Sequence, residues 1–543
     1  MNSNTNIVCF CTEIERFYYS PVMTLDYNIH KGDYQNLYLF LGISDNDGSF
    51  APTIDSIKDV YKNIILMKKI NLYDISVVAE RIDWTENSFY DIYESNKNIS
   101  ARDDNGKLLK KFYVRNKSDQ IFKCLWNNIN SSNTFNITSI ENNEYYYSIH
   151  HNGGTIGVGE YVTIQKVDPE EYNGTFLVMN SGVGIANVAY GSSGSYIITT
   201  DKEYVANGTI KIADLSTEEP VFDLGTFDEE KIVRTSDGYV WKYIYTIDRS
   251  AKLKFFTDEW MPVPINPDYP NPILSPYGFG SIDTINIIDG GSGYENGQGT
   301  VAVNIEGDGI GAEAQSFVSN NTITQISVVD HGKNYTYANI TLQPINGQGA
   351  NAEIQYTISP VGGHGFNFIR DLFSRNVMVV GSFVETEDGK IPSDLTFNQI
   401  GLLYNPYTLQ NNDDHSSDSL ISRIITLNLA PSLEPGNYFI PGEYVNQKDL
   451  EGNLLYRGKA VSLDNANNVL RVINKQGTIS EGLEMRGEIS LANRIIASNT
   501  ESISSQTIYT PYSGNIFYLQ NIDTVERNNK GIELVSIMLN YTQ

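Results

Sequence analysis

The sequence predicts a mainly β protein: an α+β core with few helices, elongated, divided into several domains and carrying inserted all-β modules. Three observations predict it. A chain of 543 residues is too long for one hydrophobic core. Its 44 Gly, 36 Tyr and 22 Phe suit short strands joined by tight turns. Long glycine-punctuated segments also lack the 3.6-residue period of helices.

The N-terminal region predicts both a strand and a helix. The apolar run NLYLFLGI (36–43) predicts a buried strand that ends at the turn residues 45–48. That turn is not a calcium loop, because the first ligand position would fall on Ile43 and the closing glutamate position on Ile54. After Pro52, an apolar stripe at helical spacing predicts one amphipathic helix, with the members Ile54, Ile57, Tyr61, Ile64 and Ile65.

Three segments are predicted to be inserted β modules: 152–212, 281–357 and 430–498. The first and third share Gly-Glu-Tyr-Val, at 159–162 and at 442–445, which suggests one module type. The remaining segments are predicted to form the core: 1–151, 213–280, 358–429 and 499–543. Surface loops tolerate large insertions at a small entropic cost, so we expect a core that survives without its modules.

The second module contains an internal repeat. Its halves align as Asp289 with Asp330, Gly291 with Gly332 and Tyr294 with Tyr335. Each half predicts a strand, a Gly-x-Tyr turn, a second strand, a Gly-rich turn and a third strand. We expect the glycines to adopt positive φ in turns between strands.

One predicted strand carries an aromatic ladder, a row of aromatic side chains on one face. In DGYVWKYIYTID (237–248), the residues on one face are Tyr239, Trp241, Tyr243 and Tyr245. Such a ladder can bind sugar, but it more often forms a core or a subunit interface.

Composition argues against nucleic-acid and membrane functions. The net charge is −27 although only 19% of residues are charged, whereas a nucleic-acid surface needs clustered Lys and Arg. No targeting segment is visible at the N-terminus, and no apolar run approaches the roughly 20 residues that span a bilayer.

The glycine-rich region does not predict a nucleotide site. The pattern G-x-G-x-x-G/A occurs at 297–302, 307–312 and 347–352. Each copy precedes a strand-like sequence, while pyrophosphate binding requires the N-terminus of a helix. We therefore expect no cofactor.

Catalytic and metal-ligating residues are not predicted either. The adjacent His150 and His151 would point to opposite faces of a strand, and Cys9-x-Cys11 has no second ligand pair nearby. These two cysteines and Cys124 are interpreted as idle or buried thiols of a reducing cytoplasm. A chance Asp/Glu pair of a glycosidase is not excluded, but nothing points to one.

Several segments together resemble the baseplate wedge protein of contractile-tailed, T-even-type phages, called gene product eight there. They are RIDW (81–84), FYVRNKSDQIFKCLWNN (112–128), DGYVWKYIYTI (237–247), GFNFIRDLF with FNQIGLLYNP (365–373 and 397–406), and SGNIFYLQNIDTVERNNKGIELVSIMLNY (513–541). All lie outside the three modules, so the resemblance does not cover what the modules do.

The resemblance implies a structural virion protein, assembled into the tail baseplate after synthesis in the host bacterial cytoplasm. It also implies a homodimer that joins other wedge subunits and has no enzymatic activity. The modules are expected to contact tail fibre or receptor-binding proteins. One alternative is a receptor- or glycan-binding tail protein with Tyr294 or Tyr335 exposed on turn tips as an aromatic platform. The other is a glycan-degrading enzyme.

Overall fold

A computed structural model provides the fold of the chain. It describes residues 37–44, 54–93, 101–102, 106–128, 134–142, 146–169, 172–189, 203–225, 230–264, 280–360, 362–384, 391–392, 394–408, 411–415, 419–432, 434, 436–501, 512–527 and 532–540. The predicted 45–48 turn and the Cys9–Cys11 pair lie outside these residues.

The chain divides into two compact units. The terminal unit comprises Met1–Ser76 and Asn376–Gln543, and the central unit comprises Val77–Arg375. The boundary after Ser76 falls inside the predicted core segment 1–151, and the boundary after Arg375 falls inside the predicted core segment 358–429.

The described secondary-structure elements form four consecutive groups along the chain. The first group is β1 (Leu37–Gly42), α1 (Ile54–Asn63), β2 (Ile64–Lys69), a 3-10 helix (Leu72–Asp74), β3 (Ile75–Glu80), β4 (Tyr113–Arg115) and β5 (Gln120–Asn127). The second is β6 (Thr134–Asn142), β7 (Tyr146–Thr155), β8 (Tyr161–Gln165), β9 (Gly174–Ala189), β10 (Thr209–Ile212), β11 (Ile232–Arg234), β12 (Tyr239–Thr246), α2 (Arg249–Phe255) and β13 (Trp260–Val263).

The third group is β14 (Ile282–Ser292), β15 (Gly297–Gly307), β16 (Ile310–Ser319), β17 (Thr322–Lys333), β18 (Ala338–Pro344), β19 (Ala350–Ile358), α3 (Phe368–Asp371) and β20 (Asn376–Val384). The last is β21 (Thr396–Tyr404), β22 (Tyr407–Thr408), β23 (Asn411–His415), β24 (Leu420–Ser422), β25 (Ile425–Leu429), β26 (Tyr444–Lys448), β27 (Leu454–Asp464), β28 (Val469–Gly477), β29 (Glu484–Gly487), β30 (Asn493–Glu501), β31 (Asn515–Glu526) and β32 (Ile532–Asn540). The predicted mainly β, multi-domain class is confirmed.

The terminal unit contains a five-stranded sheet in the order β24-β2-β1-β21-β31. Every residue of β1 is buried, as its uniformly apolar sequence predicts. Strand β20 pairs with β32 in the same unit. A Cβ on Gly381 of β20 would lie 2.2 Å from the Leu39 side chain, so this glycine lets β20 approach β1 closely.

The predicted amphipathic helix forms as α1 but ends earlier than its apolar stripe. Ile64 and Ile65 belong to β2 and are fully buried there. Arg423 closes the helix, because its Nη1 donates to the carbonyl oxygens of Tyr61, Lys62 and Ile64 at 2.5, 3.3 and 3.3 Å. The apolar pattern continues from α1 into β2 because buried strands and the buried faces of helices contain the same types of residue.

Two small barrels are built on the units. In the central unit, β10-β6-β7-β9-β8 closes into the central barrel, and in the terminal unit β25-β28-β27-β26-β29-β30 closes into the terminal barrel. Each has its own apolar core. The central barrel includes β6 and β7, so it starts at Thr134 rather than at the predicted 152, and the terminal barrel spans 425–501 rather than 430–498.

The central unit has a sheet in the order β11-β12-β5-β4, and β13 pairs with β3. Strands β5 and β12 are almost completely buried. A register shift between Val240 and Trp241 bends β12 against β5. This sheet contains two of the segments that carry the family resemblance, 112–128 and 237–247.

The repeat module exchanges strands between its two halves. The first strand of one half, β14, pairs with the last strand of the other, β19, and reciprocally β17 pairs with β16. Its ends lie side by side, since Ser359 N donates to Ser281 O at 2.9 Å and Ser281 N donates to Ser359 Oγ at 2.9 Å. Neither half can therefore fold alone with its own strands fully paired.

A tyrosine from each half packs on a glycine of the other half. The Tyr294 ring occupies the space of an absent Cβ at Gly349, 2.3 Å from Cδ1, and Tyr335 does the same at Gly309, 2.3 Å from Cγ. The predicted positive φ is found at the aligned glycines of both halves, +64° at Gly291 and +62° at Gly332. These glycines therefore provide turn conformation and room for the two tyrosine rings.

The shared Gly-Glu-Tyr-Val segment forms the same corner in both barrels. Gly159 N donates to Val178 O, as Gly442 N does to Ala460 O, each at 2.8 Å. The glutamate that follows each glycine accepts a backbone N–H from three residues earlier through its side chain, at 2.6 Å in the central barrel and 2.7 Å in the terminal barrel. The corner and its first hairpin are thus one structural unit used twice.

We predict that Gly309→Ala destabilises the repeat module by roughly 1–3 kcal/mol, because the new methyl group overlaps the Tyr335 ring. Thermal melting and limited proteolysis within 281–357 measure the effect. Gly154→Ala is the control, since nothing lies within 4 Å of its Cβ position. Equal melting of both variants would contradict the proposed tyrosine packing.

Candidate functional site

The aromatic ladder of β12 lies in the core. Trp241 is fully buried, stacks on Tyr239 with 5.5 Å between ring centroids and meets Tyr90 edge-on at the same distance. Tyr243 and Tyr245 are buried as well. The ladder therefore offers no platform for a sugar, and the core interpretation is confirmed over the ligand interpretation.

The two repeat tyrosines are also buried, so the expectation that they stand exposed on turn tips is wrong. The Tyr294 hydroxyl accepts from Ala352 N, and the Tyr335 hydroxyl accepts from Ala312 N, each at 3.4 Å. The strand exchange explains the difference, because it brings the other half of the repeat over each ring.

A buried cluster of charged side chains is the most distinctive polar feature of the central unit. Lys123 of β5 donates from Nζ to Asp371 Oδ1 at 2.6 Å and lies 3.1 Å from His364 Nδ1. His364 Nε2 lies 2.8 Å from Asp283 Oδ2 of β14, although the two atoms are not aligned as a hydrogen bond. The Tyr93 ring covers the ammonium, with Nζ 3.8 Å from its centroid.

The electrostatics of this cluster favour an ionised aspartate. Burial raises the pKa of Asp371, but the neighbouring Lys123 and His364 outweigh burial and lower it to about 2. Gly365 N also donates to Asp371 Oδ2 at 2.8 Å. Burial lowers the pKa of Lys123 and the two aspartates oppose that shift. The carboxylate of Asp371 is thus the group that keeps the lysine in place.

The cluster holds structure together rather than performing chemistry. The side chains of Lys123 and His364 have no exposed surface, that of Asp371 is 1% exposed and Asp283 is buried as well, so a substrate has no access to them. The four groups come from β5, the loop before α3, α3 and β14. The cluster therefore attaches the repeat module and α3 to the central sheet.

Apolar contacts reinforce this attachment. Ile288 of β14 packs on a buried cluster formed by Ile92 and the sheet residues Leu125, Trp126 and Val240. The Thr357 hydroxyl of β19 donates to Leu125 O at 3.4 Å. These contacts join β14 and β19 of the module to the central sheet.

A second ionic network joins α2 to two of the segments that carry the family resemblance, 81–84 and 112–128. Asp83 accepts from Arg81 Nη2 and from Arg115 Nε, both at 2.6 Å. Arg115 also donates to Asp119 at 2.6 Å, and Lys252 of α2 donates to both oxygens of Asp119 at 2.8 and 2.7 Å. Burial opposes ionisation of Asp83, but the two arginines hold its pKa below the ordinary value. The network ties α2 to the β4–β5 hairpin.

The histidine pair does not form a chelate. His151 is buried and stacks on Phe135 with 5.3 Å between centroids, while His150 faces Glu141 at 3.5 Å. Burial, followed by the neighbouring His150, lowers the pKa of His151. Cys124 is a buried free thiol, and burial raises its pKa. Within the described ranges, no three His, Cys, Asp or Glu side chains are arranged to hold a metal ion.

Lys211 of β10 is a buried ammonium without a hydrogen-bond partner among the described residues. Its side chain is on the outer face of the central barrel, yet the residue is only 4% exposed. Burial lowers its pKa to about 8, a shift that Asp214 opposes.

No helix among the described residues combines the length and apolarity required to cross a membrane. Comparison with known proteins adds no relative: no protein-family model and no curated protein matches the chain.

We predict that Lys123→Met destabilises the central unit by about 3–5 kcal/mol, because Asp371 is left as a buried charge without its counter-ion. Denaturant unfolding measures the loss. The double variant Lys123→Met/Asp371→Leu is the matched control and should recover much of it, since it removes both charges. A single variant as stable as the parent protein would contradict this role.

Lys211→Met should stabilise the protein at about pH 7 by on the order of 1 kcal/mol, because it removes an unpaired buried charge. Because the pKa is lowered, the charged lysine reduces the stability of the folded protein fully below about pH 8. This loss of stability becomes smaller as the pH rises from there toward 10.5, the ordinary pKa of lysine. The advantage of the variant should therefore shrink at about pH 9.5. Melting curves at both pH values test this, and a constant difference would refute it.

Proposed function

We propose that the chain is a structural subunit of the baseplate wedge of a contractile phage tail. In this role it links neighbouring wedge proteins as a homodimer, and it takes part in the baseplate rearrangement that triggers sheath contraction. It is not an enzyme, and its place is the virion.

The observation that carries the proposal is the location of the segments that resemble the wedge family. In the central unit, 112–128 and 237–247 form the paired strands β5 and β12, and 365–373 contains the Asp371 that binds Lys123. In the terminal unit, 397–406 contains most of β21, which lies between β1 and β31, and 513–541 contains β31 and β32. The resembling segments thus supply paired strands to the sheets of each unit, which supports a shared core.

The character of the polar sites supports a mechanical role. Both ionic networks tie structural elements to one another, and the aromatic ladder is buried. A subunit that transmits movement between neighbours needs this kind of rigid interior, because packed interiors transmit strain.

Tyr294 and Tyr335 do not support the glycan-binding alternative as an exposed aromatic platform, since both rings are buried. It remains a separate hypothesis for the modules, and the experiment below distinguishes it.

We expect antibodies against the purified protein to label the baseplate at the distal end of the tail in virions of the encoding phage, by immunogold electron microscopy. Light scattering should give a mass twice the 60.8 kDa of one chain. Pre-immune serum is the control. Label at fibre tips would favour the receptor-binding alternative, and virions without label would refute the structural role.

A further inference from the structure

The buried charge cluster holds an amine and a carboxyl group in contact. No substrate from outside reaches them, so a reaction at this place is one between the side chains of the cluster. Lys123 Nζ lies 2.6 Å from Asp371 Oδ1. The carboxyl carbon lies no more than one carbon–oxygen bond beyond that oxygen, so the amine and the carbon are close to the separation of reacting atoms. A lysine amine that has lost its proton is a nucleophile.

His364 is placed to move protons between these two groups. Its Nδ1 lies 3.1 Å from Lys123 Nζ and 3.5 Å from Asp371 Oδ1. Its other ring nitrogen, Nε2, lies 2.8 Å from Asp283 Oδ2. The negative charge of Asp283 favours a proton on Nε2, which leaves Nδ1 able to accept one. A nucleophile, a base and a group that orients the base are thus arranged in sequence.

The two carboxyl oxygens of Asp371 have different surroundings. Oδ1 faces Lys123 and His364, whereas Oδ2 accepts a hydrogen bond from Gly365 N at 2.8 Å. A backbone N–H in this position stabilises the negative charge that develops on an oxygen when an amine adds to the carbon. Oδ2 is therefore placed to remain as a carbonyl oxygen, and Oδ1 is placed to leave.

An aromatic ring covers the reacting groups. The Tyr93 ring lies over Lys123, with 3.8 Å between Nζ and its centroid, and meets His364 edge-on with 4.9 Å between ring centroids. The side chains of Lys123 and His364 have no exposed surface. Exclusion of water protects a product that water would otherwise hydrolyse.

Burial supplies a driving force for a reaction that removes both charges. Burial is the largest influence on both groups: it raises the pKa of Asp371 and lowers the pKa of Lys123. Their mutual attraction keeps them ionised as a pair, and transfer of one proton along the hydrogen bond gives the neutral amine and the neutral acid without a change in net charge. Condensation of these two neutral groups ends the desolvation cost of a buried ion pair.

We propose that Lys123 and Asp371 condense in the folded protein to form an intramolecular isopeptide bond, with His364 as the catalytic residue that carries protons. The bond from Nζ to the carboxyl carbon of Asp371 forms, and the bond from that carbon to Oδ1 breaks. Two protons of the ammonium leave with Oδ1 as one water molecule, so the step needs no further reactant. The inference is independent of the baseplate function.

The bond would cross-link strand β5 and helix α3 of the central unit. Its two residues are 248 positions apart in the sequence, so the covalent link closes a long loop of the chain. Closing a long loop restricts the unfolded chain strongly and stabilises the folded one. The ion pair must form first, because folding brings the two side chains together before they react.

Intact-mass spectrometry of the denatured full chain tests the proposal. We expect most molecules to weigh about 18 Da less than the 60.8 kDa chain, the mass of one water. Trypsin should leave Lys123 uncleaved, because its amine is acylated. The digest should contain a branched species in which the peptide that includes Lys123 is joined to the peptide that ends at Arg375.

Three variants locate the bond and its proton carrier. Lys123→Arg keeps the cation but removes the nucleophile, and it should have the full mass. His364→Gln should leave most freshly purified chains at full mass, since loss of a general acid–base group slows such a step at least about tenfold. Lys242→Arg is the matched control and should keep the mass deficit, because Lys242 lies directly opposite Lys123 on β12. Melting curves establish which variants fold.

The digest of the parent protein decides the central point without any variant. Full mass of the parent, with Lys123 cleaved by trypsin, would show an ion pair only and would overturn the proposal. A mass deficit that persists in Lys123→Arg would place the lost water elsewhere, for example in a succinimide, and would overturn it as well. An undiminished deficit in a folded His364→Gln protein would refute the role of the histidine.

Discussion

The charge on Lys123 constrains the whole central unit. A lysine in the middle of a buried strand loses its hydration and must find counter-charges within a few ångström. Asp371 supplies the counter-charge directly, His364 Nδ1 lies 3.1 Å from the ammonium, and Asp283 lies beyond the histidine as a second carboxylate. These groups come from α3, its preceding loop and β14. Contacts around the ammonium of Lys123 therefore fix the positions of all three segments. The cluster therefore links the repeat module to the central sheet.

Glycine plays a second, steric role in the same unit. In the repeat, the absence of a Cβ at Gly309 and Gly349 leaves room for the rings of Tyr335 and Tyr294. The exchanged strands make each half dependent on the other. Two of the glycine patterns that resemble nucleotide-binding loops, 307–312 and 347–352, are thus explained by packing between strands, and the third, 297–302, lies within β15.

Much of the local structure is predictable from sequence. The mainly β class, the strand at 36–43, the existence of α1 and the three-strand pattern of each repeat follow from periodicity and turn residues. The barrel start at Thr134 was not predictable in this way, because β6 and β7 pair with strands that lie beyond the expected boundary. Local pattern does not reveal which strands will become neighbours.

The charge cluster was missed for a related reason. The one sequence signal was a single lysine inside the apolar run IFKCLW, and its partners are 241 and 248 residues away. No spacing rule joins residues so distant. The burial of Tyr294 and Tyr335 could not be predicted from local sequence either, because each ring is covered by the other half of the repeat.

We infer that the charge cluster and the contacts of β14 make the repeat module and the central sheet one cooperative unit. Native-state hydrogen exchange tests it most directly, by comparing the opening free energies of amides in β5 and in β14. We expect both strands to exchange through the same opening and Lys123→Met to lower the opening free energies of both together. Hydrogen exchange of β14 and β19 through an opening of much lower free energy, with β5 still protected, would contradict this cooperativity.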